Sequence, residues 1–149
     1  MTPEGMKLLH KFEACKLKAY LCPADVWTIG WGNTRYEDGA PVEEGDEITQ
    51  ERADELSKNI TERFERSIKT MVDNPDWRTD HRMSALTILV YNIGPEAFRK
   101  STVLKRINQG DTNDRIAEAW SWWNKAGGEV SNGLVKRRKK EIDFAFSKE

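Results

Sequence analysis

The stretch FEACKLKAYLCPADVWTIGWGNT, residues 12–34, decides how the rest of the chain is interpreted. It begins where the first predicted helix ends. Thr2-Pro3-Glu4 provides that helix with a capping hydroxyl, a proline for the first helical position and an acid for the first turn. Apolar residues then fall on one broad face, at Met6, Leu8, Leu9 and Phe12. The pattern predicts a helix over residues 3–14.

Glu13 lies at the C-terminal end of this predicted helix. An acid there opposes the helix dipole, which favours its protonated form. Hydrolysis of a glycosidic bond needs such a proton donor, together with a group that activates water or attacks the anomeric carbon. Taken alone, Glu13 is more simply explained as a solvated helix-end residue, so its interpretation depends on the next residues of the chain.

Residues 17–38 predict a small irregular hairpin or three-stranded sheet. Short β-like runs occur at residues 19–21 and 26–29, Cys22-Pro23-Ala24-Asp25 supplies the turn between them, and residues 30–33 supply another bend. This element places two further chemically capable side chains, Cys22 and Thr28, after Glu13. Each has an ordinary explanation by itself: Cys22 as a small buried apolar residue and Thr28 as a strand threonine.

From residue 48 onward the chain is predicted to be helical. Thr49 is the predicted N-cap of a helix to about Val72, and Thr79 or Asp80 begins a second helix that ends at residues 92–95. The second helix is so apolar that we expect it to be the buried central helix. Shorter helices are predicted at residues 101–107, 113–123 and 134–146. We expect one α+β, mostly helical domain over residues 1–149, with a small β lobe (about 15–48) packed against a larger helical lobe (about 1–14 and 49–149).

Composition narrows the classes of function. The chain has 24 basic and 25 acidic side chains and a formal net charge of −1, which argues against a nucleic-acid binder driven by net charge. Two cysteines, Cys15 and Cys22, are too few for a disulfide scaffold, and no cysteine or histidine spacing is typical of zinc. We therefore expect no metal and no cofactor.

The sequence also bears on where the protein works. No stretch resembles a signal peptide or approaches the roughly 20 apolar residues of a membrane span. We expect the protein to be made and kept in the cytoplasm, so that a target outside the membrane needs another agent to open the way.

Two segments are candidate binding surfaces, and each also has a purely structural interpretation. The tryptophans of Trp120-Ser121-Trp122-Trp123 can stack on sugars or bases, but at helical spacing they more often belong to a core. The basic run Lys136-Arg137-Arg138-Lys139-Lys140 is either a solvated helix face or a surface that attracts an anionic polymer.

The combination of motifs is more specific than its parts. Glu13, Cys22 and Thr28, separated by eight and five residues and followed by Ile29-Gly30-Trp31-Gly32-Asn33-Thr34, resemble the N-terminal signature of phage-type lysozymes, glycoside hydrolase family 24. The segment of residues 91–94, YNIG, is similar to the end of that family's central helix. The segment of residues 133–141, GLVKRRKKE, is similar to the family's final helix.

The resemblance implies a lysozyme-like fold and an endolysin, a muramidase that cleaves the β-1,4 bond between N-acetylmuramic acid and N-acetylglucosamine and lyses the host cell. It implies an active site in a cleft between the β lobe and the helical lobe. Glu13 is then the general acid, Cys22 takes the second catalytic position, and Thr28 helps to place the attacking water. Tyr91 and Ser101 are the candidate substrate contacts on the helical lobe.

The chain departs from the common family pattern at two positions. Cys22 stands where an aspartate is usual, and we interpret it as a partly ionised base or electrostatic group, or as a nucleophile. Asp25, three residues on, is a rival second carboxylate. Asn33 replaces a histidine and is compatible with the turn. A Cys15–Cys22 disulfide is a further alternative, which would silence Cys22 in an oxidising periplasm.

Two other hypotheses compete with the muramidase. A lysozyme-fold protein that binds peptidoglycan without cutting it would result if Cys22 cannot replace aspartate, although the retained Glu13 and Thr28 argue against it. A small helical nucleic-acid binder would use the tryptophans and the basic run, against the near-zero net charge. The leading hypothesis implies peptidoglycan glycan strands as the partner and a monomer without nucleic acid or membrane anchor. It also implies a separate holin-like protein for release from the host cytoplasm to the periplasm and cell wall.

Overall fold

The computed structural model describes residues 1–147 and has an α+β, mostly helical architecture. The helices are α1 (Pro3–Phe12), α2 (Gln50–Met71), α3 (Asp80–Ile93), α4 (Pro95–Arg99), α5 (Thr102–Asn108), α6 (Asn113–Ser121) and α7 (Asn132–Phe146), with one 3-10 helix at Pro75–Trp77. The strands are β1 (Lys16–Leu21), β2 (Trp27–Gly30), β3 (Lys125–Ala126) and β4 (Glu129–Val130). The predicted fold class is confirmed.

The chain divides into two compact units. One unit is Lys7–Arg63, and the other contains residues 1–6 together with the chain from Phe64 onward. The divisions fall within α1 and within α2, whereas the sequence suggested lobe boundaries near residues 15 and 48.

The unit Lys7–Arg63 is built around an antiparallel hairpin. Strands β1 and β2 pair with Tyr20 opposite Thr28 and Leu21 opposite Trp27, and the register shifts between Lys16 and Tyr20. A small apolar core lies beneath the hairpin; its buried residues are Ile29, Val42 and Leu56, and the partly buried Ala19, Trp27, Tyr36 and Ile48 pack against it. Trp27 and Ile29, two residues apart in β2, therefore both contribute to this core.

The other unit is organised around α3. Thr79, one of the two predicted starts, caps this helix by accepting a hydrogen bond from the backbone N–H of Arg82. Eight consecutive residues, 83–90, are buried, which is what an apolar helix without a polar face requires. Trp77 and Trp120 are among the largest fully buried side chains of this core, and their ring centroids lie 6.3 Å apart.

The basic run on α7 is not a single surface. Arg137 and Arg138 are buried, whereas Lys136, Lys139 and Lys140 are exposed. Both arginines bond to the carboxylate of Glu141, which is fully buried. The prediction of a solvated or polymer-binding run is therefore wrong for the two arginines, because helical spacing turns them inward with Glu141.

The sequence interpretation missed three short elements: the 3-10 helix, helix α4 and the β3–β4 hairpin. The hairpin has a two-residue turn, Gly127-Gly128, in which both φ angles are positive, at 60° and 85°. Gly-Gly between two short strands is a recognised hairpin signal. The preceding helix α6 ends at Ser121, two residues before the predicted end at residue 123.

Candidate active site

Glu13 lies immediately after the last residue of α1 and is partly buried. Its backbone N–H donates to Leu9 O at 3.1 Å, which continues the helical hydrogen-bond pattern by one residue. Leu9 is fully buried, so the turn of chain that carries the carboxyl group is anchored in the protein interior. The helix ends two residues earlier than predicted, and Glu13 still belongs to its final turn.

Cys22 begins the tight turn that joins β1 to β2. Its N–H donates to Val26 O at 3.0 Å, and the N–H of Asp25 donates back to Cys22 O at 2.8 Å. The turn closes because Asp25 adopts a left-handed conformation with φ of 61°, which aspartate tolerates better than most residues. We call residues 22–26 the Cys22 turn.

The Cys22 turn favours the thiolate. The pKa of the Cys22 thiol lies below its ordinary value, chiefly because the backbone N–H of Val26 hydrogen-bonds to the sulfur. The N–H of Ala24 adds to this effect, partial burial opposes it, and the hydroxyl of Thr28 adds a smaller contribution. A thiol with a lowered pKa supplies more of the nucleophilic and basic form near neutral pH.

Thr28 lies buried in β2, close to the Cys22 turn. Its hydroxyl donates to Val26 O at 2.9 Å. A hydroxyl has a single proton, so Thr28 serves either the carbonyl of Val26 or the sulfur of Cys22. In this structure the hydroxyl donates to Val26 O, and a hydrogen bond of Thr28 to the sulfur is the smaller influence on the pKa of Cys22.

Tyr20 is a member of this site that the sequence interpretation missed. Burial raises the pKa of its phenol first, and the negative charges of Cys22 and Glu13 raise it further. Tyr20 therefore lies within electrostatic range of both proposed catalytic groups. Strand alternation was the available signal, because Tyr20 is two residues before Cys22 and stands opposite Thr28 in the hairpin.

The rival carboxylate, Asp25, is exposed at the tip of the Cys22 turn. Its backbone role in closing that turn gives it a structural reason to be there. The conformation with positive φ is one that aspartate, asparagine and glycine share, so a substitution to asparagine preserves the turn.

The turn at Gly30–Asn33 forms as expected with Asn33 in place of the family's histidine. Ile29 and Asn33 exchange two backbone hydrogen bonds of 2.8 and 2.9 Å, and Gly30 and Gly32 have φ angles of 64° and 89°. Asn33 is buried, and its side-chain Oδ1 accepts no hydrogen bond from the described residues. A side chain at Gly30 would be strained by the left-handed backbone there, so this turn tolerates little change at that position.

The two candidate substrate contacts belong to the other unit. Ser101 is the N-cap of α5: its hydroxyl accepts from the N–H of Leu104 at 3.1 Å and donates to Phe98 O at 2.7 Å. Tyr91 is half-buried on α3, with its ring edge-on to Phe64 at a centroid distance of 6.1 Å. Ser101 therefore has a structural role as a helix cap. Contact of either residue with substrate stays a prediction.

Cys15 and Cys22 are both free thiols in this structure, and Cys15 contacts the side-chain amide of Gln50 instead. Within residues 1–147, no three side chains of His, Cys, Asp or Glu are grouped so that they can hold a metal ion. No helix in this described part of the chain is long and apolar enough to cross a membrane.

Comparison with known proteins identifies the class. The family model described as phage lysozyme matches residues 10–141. An endolysin of Acyrthosiphon pisum secondary endosymbiont phage 1 is 35% identical over 144 residues, which cover 95% of this chain and 94% of that protein. The solved endolysin of Escherichia coli O157:H7 phage FAHEc1 superposes with a TM-score of 0.85 at 35% identity, over 97% of this chain and 92% of that chain. A relative from Haemophilus phage HP1, named a SAR-endolysin, is 33% identical over 95% of this chain and 78% of its own length.

The chain therefore belongs to the phage lysozyme family, and it is an enzyme, a glycoside hydrolase of the muramidase class. The predicted family and the predicted enzyme class are confirmed. The roles of the individual residues stay predictions.

Proposed function

We propose that the enzyme hydrolyses the β-1,4 bond between N-acetylmuramic acid and N-acetylglucosamine in bacterial peptidoglycan, and that its site consists of Glu13, Cys22 and Thr28. The observation that carries this proposal is the Cys22 turn, whose backbone N–H groups lower the pKa of a thiol in the position where the family pattern usually has aspartate. Tyr20 supports it, because its phenol responds to the charges of both Glu13 and Cys22.

Glu13 is the proton donor in this proposal. Cleavage breaks the bond between the anomeric carbon and the bridging oxygen, and the departing sugar needs a proton on that oxygen. The partly buried carboxyl at the end of α1 supplies it, and the hydrogen bond to buried Leu9 fixes the backbone that carries Glu13. A positioned general acid typically contributes a factor of about 10² to 10⁴ in rate.

Cys22 acts by one of two routes. As a base, the thiolate takes a proton from water while the water oxygen bonds to the anomeric carbon, and the configuration at that carbon inverts. As a nucleophile, its sulfur bonds to the anomeric carbon, and water then displaces the sulfur with net retention. Thr28 orients the water in either route, because its oxygen lies beside the Cys22 turn and can accept a hydrogen bond.

The test compares clearing of purified peptidoglycan by the native chain with clearing by Glu13→Gln, Cys22→Ser and Cys22→Asp. We expect the first two variants to be inactive and Cys22→Asp to be active, since aspartate restores the usual family residue. Asp25→Asn is the matched control and keeps activity. If Cys22→Ser is as active as the native chain and Asp25→Asn is inactive, the assignment of Cys22 is wrong.

Two further measurements complete the test. Proton NMR of the first product anomer separates the base route, which inverts, from the nucleophile route, which retains. Sedimentation with peptidoglycan separates an inactive binder from an inactive, non-binding protein. A native chain that sediments with peptidoglycan but never cuts it contradicts the proposed reaction and supports the binding-only hypothesis.

Access to the wall is a separate part of the proposal. The enzyme acts as a monomer that stays in the host cytoplasm until a holin-like protein opens the membrane. Several relatives, among them the one from Haemophilus phage HP1, bear the name SAR-endolysin, so the release route is tested directly. Expression of this chain alone is expected to leave host cells intact, whereas co-expression with a holin lyses them. Lysis by the chain alone would contradict this route.

A further inference from the structure

His10 and Trp31 form a parallel stack in the unit Lys7–Arg63. Their ring centroids are 3.8 Å apart and the ring planes differ by 4°. His10 lies three residues before Glu13, and Trp31 lies three residues after Thr28. The stack therefore joins the final part of α1, which precedes the proposed acid, to the turn that comes after the proposed water-positioning residue.

Helix α2 holds both rings of this stack. His10 Nε2 lies 2.9 Å from the hydroxyl of Ser57, which is fully buried. The indole N–H of Trp31 donates to Asp54 Oδ1 at 2.8 Å, and Gln50 Nε2 donates to the same oxygen at 3.0 Å. Asp54 and Ser57 are three residues apart, so they lie on one face of α2 and fix the two rings side by side.

The turn that carries Trp31 transmits its position to β2. Gly30 and Gly32 hold left-handed conformations, and Ile29 and Asn33 close the turn with two backbone hydrogen bonds. Ile29 is completely buried, and it comes directly after Thr28. Because this turn is so constrained, a shift of Trp31 moves the end of β2 with it.

We propose that His10 is a positioning residue: through its stack on Trp31 it fixes the final turn of α1, and hence Glu13, relative to Thr28. The proposal rests on the proposed function for the chemistry that this geometry serves. Displacement of a reacting group by about 1 Å can cost about a hundredfold in rate, so a contact outside the reaction itself can control kcat.

The surroundings of His10 favour the neutral ring. Burial lowers the pKa of the imidazole, and the negative charge of Asp54 on α2 opposes this in part. Two uncharged groups also contact the ring, Trp31 from the turn and Ser57 from α2. The charged residues nearest in sequence on α1 and its end are Lys7, Lys11 and Glu13. Protonation therefore weakens the folded site as the pH falls from about 6.5 through the lowered pKa.

Two substitutions separate the ring from its hydrogen bond. His10→Phe keeps an aromatic ring for the stack and removes both the bond to Ser57 and the titration. His10→Gln keeps a hydrogen-bonding side chain and removes the ring. Lys11→Gln, an exposed residue in the same helical turn, is the control. The assay measures kcat and KM on solubilised peptidoglycan, corrected for the folded fraction. It covers about pH 5 to 8, a range that spans the ordinary pKa of histidine.

We expect His10→Gln to lower kcat by about ten- to a hundredfold with KM nearly unchanged, because geometry and not binding is lost. His10→Phe is expected to keep kcat near the native value and to lose less activity than the native chain as the pH falls from about 7 to 5. Hydrogen exchange of the Trp31 indole N–H, followed by NMR, is expected to be faster in His10→Gln and near native in His10→Phe.

The outcomes distinguish this inference from the proposed function. If the native chain cuts peptidoglycan and His10→Gln keeps a native kcat, the positioning role is wrong and the function stands. If His10→Phe loses as much kcat as His10→Gln, the stack is not the cause and the inference is overturned. If the native chain does not cut peptidoglycan, the proposed function fails, and the inference about catalysis fails with it, whatever the indole exchange shows.

Discussion

The Cys22 turn and the ionic cluster of α7 use charge in opposite ways. In the cluster of Arg137, Arg138 and Glu141, the carboxylate receives bonds of 2.8 to 3.0 Å from both guanidinium groups and from the indole N–H of Trp120. In the Cys22 turn, the thiol is partly exposed, and backbone N–H groups are its main hydrogen-bond donors. The first arrangement saturates its acceptor, and the second leaves a group that can react.

This contrast indicates where chemistry is to be expected in the fold. Arg138 also donates to Trp123 O at 2.6 Å and to Asn92 Oδ1, and Arg137 donates to Ile88 O at 3.1 Å. Burial lowers the pKa of Arg138, while Glu141 raises it, and the guanidinium keeps its charge. Mutual pairing of this kind serves the core of the unit, so the lowered pKa of Arg138 is not a sign of catalysis.

The largest expected effect breaks the α7 cluster. Glu141→Gln removes the buried negative charge that Arg137 and Arg138 share, so we expect the free energy of unfolding to fall by about 3–5 kcal/mol. Glu96→Gln is the matched control, because Glu96 forms an exposed i,i+3 pair with Arg99 at 3.2 Å. Urea unfolding measures both variants, and the control is expected to change by about 0.5 kcal/mol or less. A loss of similar size in both would show that burial does not distinguish the cluster.

The second prediction concerns the pH dependence of the Cys22 turn. Because the reactive form is the thiolate, kcat/KM is expected to fall about tenfold per pH unit below the lowered pKa of Cys22. In Cys22→Asp this acid limb moves to lower pH, since the ordinary pKa of aspartate is about 3.9. The measurement is a pH–rate profile of both proteins on solubilised peptidoglycan. An acid limb at the same pH in both would assign it to a group other than residue 22.

The sequence separation of contacting residues explains which parts of the site could be predicted from the sequence. Glu13, Cys22 and Thr28 occur within one short segment, so local spacing was enough to bring them to one hairpin and helix end. The partners of His10 and Trp31 lie on α2, more than 20 residues further along the chain, and only the tertiary structure brings them together. Tyr20 was accessible from strand alternation but has no spacing motif of its own.

The burial of the α7 cluster could not be predicted from the sequence for another physical reason. The buried residues Arg138, Glu141 and Ala145 follow the spacing of one helical face, but two of the three are charged. A hydrophobic pattern counts such positions as exposed, whereas mutual pairing allows charges to occupy them. The short β3–β4 hairpin was also missed, because its only sequence signal is a pair of glycines and not an apolar pattern.

The smallest predicted effect concerns the ion pair of Glu37 and Arg52. This pair is intermediate in exposure between the buried α7 cluster and fully exposed surface pairs. Arg52 binds the carboxylate with both terminal nitrogens, at 2.5 and 2.6 Å, and these hydrogen bonds lower the pKa of Glu37 to about 2. The side chains are 28% and 34% exposed, so water screens a pair that would otherwise resemble the α7 cluster. We expect Glu37→Gln to lower the free energy of unfolding by about 1 kcal/mol at pH 7.

The pH dependence of that loss tests the cause. A carboxyl with a depressed pKa contributes its stability above its ordinary pKa, 4.5, and loses it as the pH falls toward about 2. The native chain and Glu37→Gln are therefore expected to differ at pH 7 and to converge near pH 2, measured by urea unfolding at each pH. Glu47→Gln, in the more exposed pair with Lys18 at 3.5 Å, is the control and should change little at either pH. A difference that persists undiminished at pH 2 would mean that Glu37 acts through packing rather than charge, and the graded relation between exposure and ionic stabilisation would not hold in this protein.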